Sequence, residues 1–561
     1  MNTRKLFSLT VIVWFTIAGA VAGNNERGID LYRAELYDAA KIFFLQQKNQ
    51  SAEEQAENFY YLGRTYFALQ QIDSAAYYYN KSIATDSNYP FGYVGIGKLA
   101  LGRGDMKAAD ASFKTAAGLA KKDPSVQTAI AEVYVDAGKF PQAEDALSKA
   151  NKISKNYSGT FMVRGNMALK QGKREQAYSW YEQAIHFNPN DKEARLRLAR
   201  VYENASPQTA LDFLKQLITI DPDYIPAYAL IGDINYNIGM YRQALDAYEK
   251  FISIQGVPLL QHERYAYILY FTNQYEKSLQ EINFVLNQDP ANQVAHRIRA
   301  YNHSKLGNTA LAVEELGAFL KNVSEDRHIF LDYITYGQAL VKDKQPELAI
   351  PVLQKAIALD PSKVEIHKEL ASVYEGLENY PKAFEAYEKY FGLTENASLI
   401  DYYNYGAALY TAASAYTDEA YLGKILTPEQ KVADDALFHS YIEKGNKAFG
   451  KVIELNPQLH LGYLQRANLN FLVDVKERDT KNSPFKGVAI PYFEEALKVM
   501  LENNADGKRN NNIIDVYDYF ASYYLLRDDK VNAGEYYKKM LGIDPANQKA
   551  INTLKQLKIK Y

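Results

Sequence analysis

The residues of this 561-residue chain that could do chemistry are eight histidines, one glycine–lysine stretch and an unusual number of tyrosines, 47 in all. Histidine pairs bind a catalytic metal when they stand one helical turn apart, as in H-E-x-x-H, and no such pair occurs. His296 and His303 lie seven residues apart, close enough in helical phase to share a face, but nothing else in the sequence supports a shared metal. The stretch "GYVGIGKL" sets Gly92, Gly97 and Lys98 at the spacing of a phosphate-binding loop. Leu99 stands where such a loop needs a serine or threonine for magnesium, and no strand precedes it, so that reading fails. Cysteine is absent altogether, which removes thiolate nucleophiles, thiolate metal sites and disulfides. No catalytic constellation, metal site or cofactor is therefore expected. The tyrosines are left to explain.

The elements that must position them follow from a repeat. A single core rarely grows beyond ~250–300 residues, so a chain this long is built from several domains or from stacked units. Small residues recur at Gly63, Gly97, Ala131, Gly165, Ala199, Gly232, Ala266, Ala300, Gly337, Ala371 and Gly406, mostly 34 residues apart. A second ladder follows about twelve residues behind, through Ala75, Ala109, Ala143, Ala177, Ala210, Ala244, Ser278, Ala312, Ala349 and Ala383. Large residues such as Tyr79, Phe113, Tyr181, Tyr248 and Tyr387 stand four positions further on, on the same helical face. Many units close on Asp-Pro or Asn-Pro, with Pro189, Pro222, Pro290, Pro361, Pro457 and Pro545, where proline stops a helix. Two antiparallel helices per unit, stacked unit on unit, satisfy all of these signals.

The pattern resembles the tetratricopeptide repeat. In one unit the family's aromatic, Leu-Gly, Tyr, Ala and aromatic positions are Phe59, Leu62, Gly63, Tyr66, Ala75 and Tyr79, with Ser87 in place of the proline. The resemblance implies an all-α, right-handed solenoid, a superhelix of about fourteen helix-turn-helix units ending in a capping helix. The expected organisation is a signal peptide over 1–22 and a first array over 23–397. C-terminal units with insertions near 411–440 and 473–488 follow over 398–546, and the capping helix takes 547–561. Thr427, Pro428 and Glu429 inside the first insertion read as a helix start. His262, His296 and His367 share the repeat position where the family packs an aromatic, which gives them a structural role. No unit carries the Lys and Asn with which some family members clamp a C-terminal carboxylate.

In the family, certain first-helix positions line the concave face. Here they hold a concentration of aromatic and charged residues: Asp233, Tyr236 and Asn237, then Tyr267, Tyr270 and Phe271, then Arg297 and Tyr301. Tyrosine with arginine is a composition typical of protein-binding hot spots, so a protein or peptide partner is expected there. The alternatives are that these rings pack between helices, or that they stack on the sugars of cell-wall glycan. The insertions form a second candidate surface. A net charge of −3 shows no basic excess of the kind nucleic acid attracts. Arg4 and Lys5, an apolar run from Leu6 to Gly19, and Ala20 and Ala22 in A-x-A spacing read as an export signal cleaved after Ala22, with a retained anchor as the alternative. With no cysteine, a lipoprotein is excluded. The expected role is a non-catalytic adaptor, exported to a Gram-negative periplasm, with no membrane span after cleavage.

Overall fold

The computed structural model describes residues 25–48, 50–478 and 483–561. The expected signal segment and part of the second insertion, at 479–482, lie outside the described residues. Every regular element among the described residues is a helix; apart from two short ones, Glu325–Arg327 and Glu419–Leu422, they form fourteen consecutive pairs followed by one single helix. The chain separates into two compact units, one up to Phe319 and one from Leu320.

Each pair is held by the two ladders. The alanines at 75, 109, 143, 177, 210, 244, 312, 349 and 383 expose no surface, nor does Ser278. The glycines of the first ladder make room for the large residue of the second helix. A Cβ on Gly97 would sit 2.2 Å from the Phe113 ring, and one on Gly165 would sit 2.3 Å from Tyr181. Most turns inside a pair use one left-handed residue. Gly104, Gly138, Gly172, Gly239 and Gly307 supply it at φ between +71° and +81°, while Gln70, Asn273, Lys344 and Glu378 adopt it without that freedom.

The Asx-Pro steps end helices in one consistent way. The helices finish at Phe187, Ile220, Gln288, Leu359, Leu455 and Ile543, each two residues before its proline. The intervening Asn188, Asp221, Asp289, Asp360, Asn456 and Asp544 each accept the N–H two residues on. That side-chain turn replaces a backbone turn and redirects the chain into the next first helix.

In the first unit, the opening pair, Glu26–Arg33 and Tyr37–Gln46, stacks on the next helix, Ala52–Ala68. It also meets the seventh pair, Ile225–Asn237 and Tyr241–Tyr248. Leu31, Leu36, Ala39 and Phe44 share one buried cluster with Ala244, Tyr248, Phe251 and Val257. The first seven pairs therefore close on themselves. The eighth pair is Leu259–Phe271 with Tyr275–Gln288, and the ninth begins with Gln293–Lys305.

In the second unit, one pair carries the first insertion between Leu399–Ser414 and a 28-residue helix, Pro428–Leu455. Thr427 and Gln430 form a capping box at its start. The insertion folds onto the helix His460–Lys476, where the mostly buried Lys476 ammonium faces the rings of Tyr416, Tyr421 and Phe438 and bonds Asp435 at 2.9 Å. The single last helix, Gln548–Gln556, buries Ala550 and Leu554, with Ile551 and Leu557 half-buried. It caps the stack.

Candidate binding surface

The aromatic residues expected to line a groove do come together, and they divide into two layers. The Tyr236 and Tyr267 rings meet edge to face at 6.1 Å, and Tyr267 meets Phe271 at 4.8 Å. Tyr241, at the start of the seventh pair's second helix, stacks on Phe271 with centroids 4.4 Å apart and planes 10° apart. Phe271 stays 37% exposed, Tyr236, Tyr241 and Tyr267 are half-buried, and Asn237 is open at the helix end. This is the outer layer.

The inner layer is different. Tyr270 and Tyr301 are buried and face each other at 5.6 Å, packing one first helix on the next. The Arg297 guanidinium lies over the Phe319 ring at 4.3 Å. Asp233 Oδ1 lies 2.7 Å from both the Tyr248 hydroxyl and Arg264 Nη1, so its charge holds the pair together. Arg264 in turn sits over the Tyr236 ring at 5.9 Å. Tyr241 and Arg264 were missed in the sequence. Tyr241 lies on a second helix, outside the family's lining positions, and Arg264 occupies a first-helix position that points between helices.

In pairs two, four and six, the first helices meet partners from elsewhere in the chain. Arg64 is half-buried beside Tyr32, Tyr60 and Tyr61, with its guanidinium 4.9 Å from the Tyr32 ring, and reaches Glu132 at 3.5 Å. Arg33 of the first helix bonds Glu193 at 3.2 Å. Burial raises the Glu193 carboxyl, but Arg33, Arg197 and Arg64 outweigh it and hold it below the usual range. Lys192 reaches Glu26 at 2.9 Å and Asp221 at 2.8 Å, and Arg200 pairs with Glu35.

Asp30 is the weak member of this cluster. Burial pushes its carboxyl up to about 6, and Lys192 and Arg33 only partly offset that. A carboxyl raised in the folded state favours its protonated form, so its stabilising contribution is full below 3.8 and is lost as pH rises through about 6. Asp30→Asn, which cannot ionise, should therefore stabilise the first unit at pH 7.5 by roughly 1–2 kcal/mol after solvent screening. The gain should vanish near pH 4, as thermal melts at the two pH values will read.

The histidines take structural roles. His262 bonds Glu281 and packs on Phe284, and His296 bonds the Pro290 carbonyl. Among the described residues, no three His, Asp or Glu side chains are grouped to hold a metal, and no helix is long and apolar enough to cross a membrane.

Tetratricopeptide-repeat family models match residues 57–88, 162–225, 225–257 and 336–397, in register with the observed helix pairs. The chain is a tetratricopeptide-repeat protein. Among curated relatives it is similar to DnaJ homolog subfamily C member 3 of Bos taurus, at 22% identity over 325 residues, which cover 52% of this chain and 64% of the relative. It is also similar to cellulose synthase operon protein C of Pseudomonas fluorescens, at 23% identity over 54% of this chain and 28% of that protein. The chain thus spans less than two thirds of the length of the curated relatives it matches. Among solved structures, the C-terminal part of a repeat protein from Cytophaga hutchinsonii is 26% identical, with a TM-score of 0.38, covering 52% of this chain and 99% of that one. Tetratricopeptide-repeat proteins serve as protein-interaction scaffolds, and the repeat is typically non-catalytic.

Proposed function

We propose that this protein is a non-catalytic scaffold of the bacterial cell envelope that holds a protein or peptide partner on the first-helix face of pairs seven and eight. The observation that carries the reading is the outer layer formed by Tyr236, Tyr241, Tyr267 and Phe271. Its rings are large, have few rotatable bonds and are already fixed by one another, so little entropy is lost when a partner covers them. Asn237 beside them supplies a polar edge. The envelope location rests on the basic, apolar and A-x-A succession of residues 4–22.

Tyr270 and Tyr301 contribute to this surface only by holding the two first helices in register, so they are poor positions for a test. Tyr236→Ala with Phe271→Ala removes the open part of the layer. In affinity capture from an envelope extract, the wild-type chain should retain a protein that the double variant binds at least tenfold more weakly, with unchanged circular dichroism. Two outcomes oppose the reading: equal capture by the variant, or a captured species that survives protease digestion of the extract, as a glycan would.

A further inference from the structure

The closure of the first seven pairs has features of a purpose-built contact. Its charges are matched across more than 150 residues of sequence: Glu26 with Lys192, Arg33 with Glu193, and Glu35 with Arg200. Several of these side chains are partly open to solvent, with Glu26 57% and Glu35 55% exposed, so salt reaches them. The seventh pair is also reshaped to receive the first. Its second helix runs for only eight residues, where that of the sixth pair runs for fourteen. The chain then turns through Phe251 to Val257 onto the opening pair. Gly256 adopts φ +87° there, and a Cβ on it would meet the backbone of Asp38 and Ala39 at 2.8–2.9 Å. Independently of this contact, the opening pair stacks on Ala52–Ala68 as an ordinary repeat neighbour.

We propose that the opening helical pair is a charge-latched clasp that covers part of the first-helix face of pairs two and six. There Tyr32 and Arg33 of the opening pair stand against Tyr61, Arg64 and Glu193. When the clasp releases from the sixth and seventh pairs, it stays stacked on the second and uncovers this aromatic and charged surface. The latch is electrostatic because every charge that the opening pair presents to the sixth finds its opposite there. The apolar share of the contact lies with the seventh pair. The clasp does not depend on the scaffold reading, since it is a property of the chain alone.

The absence of native cysteine permits a direct test in the full-length chain. Spin labels at Gln46→Cys and Ser253→Cys, both exposed, span the closure, and labels at Gln46→Cys and Asn80→Cys report the stacking of pair one on pair two. In low salt, the first distance should be short and narrow. With Arg33→Glu, or in about 1 M salt, where the screening length is near 3 Å, it should lengthen and broaden while the second distance holds. Adding Glu193→Arg to Arg33→Glu should restore the short distance. If the closing distance is unchanged by charge reversal and by salt, the contact is a fixed part of the fold and there is no clasp. If both distances lengthen together, the pair is a keystone whose loss unravels the unit, and the proposal fails equally.

Discussion

Asp474→Ala should destabilise the second unit by about 3–4 kcal/mol. Asp474 exposes no surface, and its carboxylate gathers four donors. Oδ1 accepts the N–H groups of Gly487 and Val488 at 2.7 and 3.0 Å, and Oδ2 accepts that of Ala489 and the Tyr519 hydroxyl, each at 3.0 Å. Three consecutive backbone donors at the start of the helix Ile490–Glu502 thus converge on one side chain. Helix starts leave such donors without partners, and burial makes the deficit costly. The alanine variant removes the acceptor but not the donors. Around it, Phe471, Phe485, Phe493 and Tyr519 pack within 4.4–6.5 Å of one another, leaving little room for water to take its place. For a unit of this size, 1 kcal/mol is worth about 2–4 °C in Tm, so a fall of ~6–16 °C is expected in a thermal melt. Asp474→Asn should fall between, because its amide oxygen still accepts while its NH2 faces donors. A melt unchanged by the alanine substitution would show that the carboxylate does not hold the insertion.

That carboxylate also marks where sequence reading stops. The sequence marks the stretch from Val473 onward only as an insertion, and nothing in it distinguishes Asp474 from the other charges there. Local and periodic features were legible because the constraint lies within one unit. Gly63 must be small because Tyr79, sixteen residues on, fills the space beside it, and the same relation repeats at each step. The Asx-Pro turns were legible for the same reason. The long-range features were not. Whether Arg33 meets Glu193 depends on small rotations accumulated over four intervening pairs, which no single unit encodes. Family positions placed Tyr236, Tyr270, Phe271 and Tyr301 on one concave face, but Tyr270 and Tyr301 are buried between helices while Phe271 stays open. Position within a repeat gives a face. The neighbouring repeat decides whether that face is covered.

Gly95→Val should destabilise the first unit by roughly 3 kcal/mol, at the upper end of what overpacking costs. Tyr79 exposes no surface and lies in a slot between two first helices. A Cβ on Gly63 would stand 2.5 Å from its ring, and one on Gly95 would stand 2.3 Å from it. Both walls are backbone, so the ring has nowhere to move. Gly450→Ala is the matching control. It sits within the helix Pro428–Leu455 with nothing within 4 Å of its added Cβ, so it should stabilise by about 0.5–1 kcal/mol through helix propensity alone. Adding a Cβ should therefore have opposite signs at the two glycines. The pair relation can be tested further, because Leu353 fills the corresponding slot beside Gly337. Tyr79→Leu shortens the occupant and should make Gly95→Ala tolerable, so the double variant should be more stable than the sum of the two single losses predicts. A coupling of ~1 kcal/mol or more is expected for residues in direct contact. Strict additivity would mean that Gly95 is small for helix approach in general and not for the ring it faces.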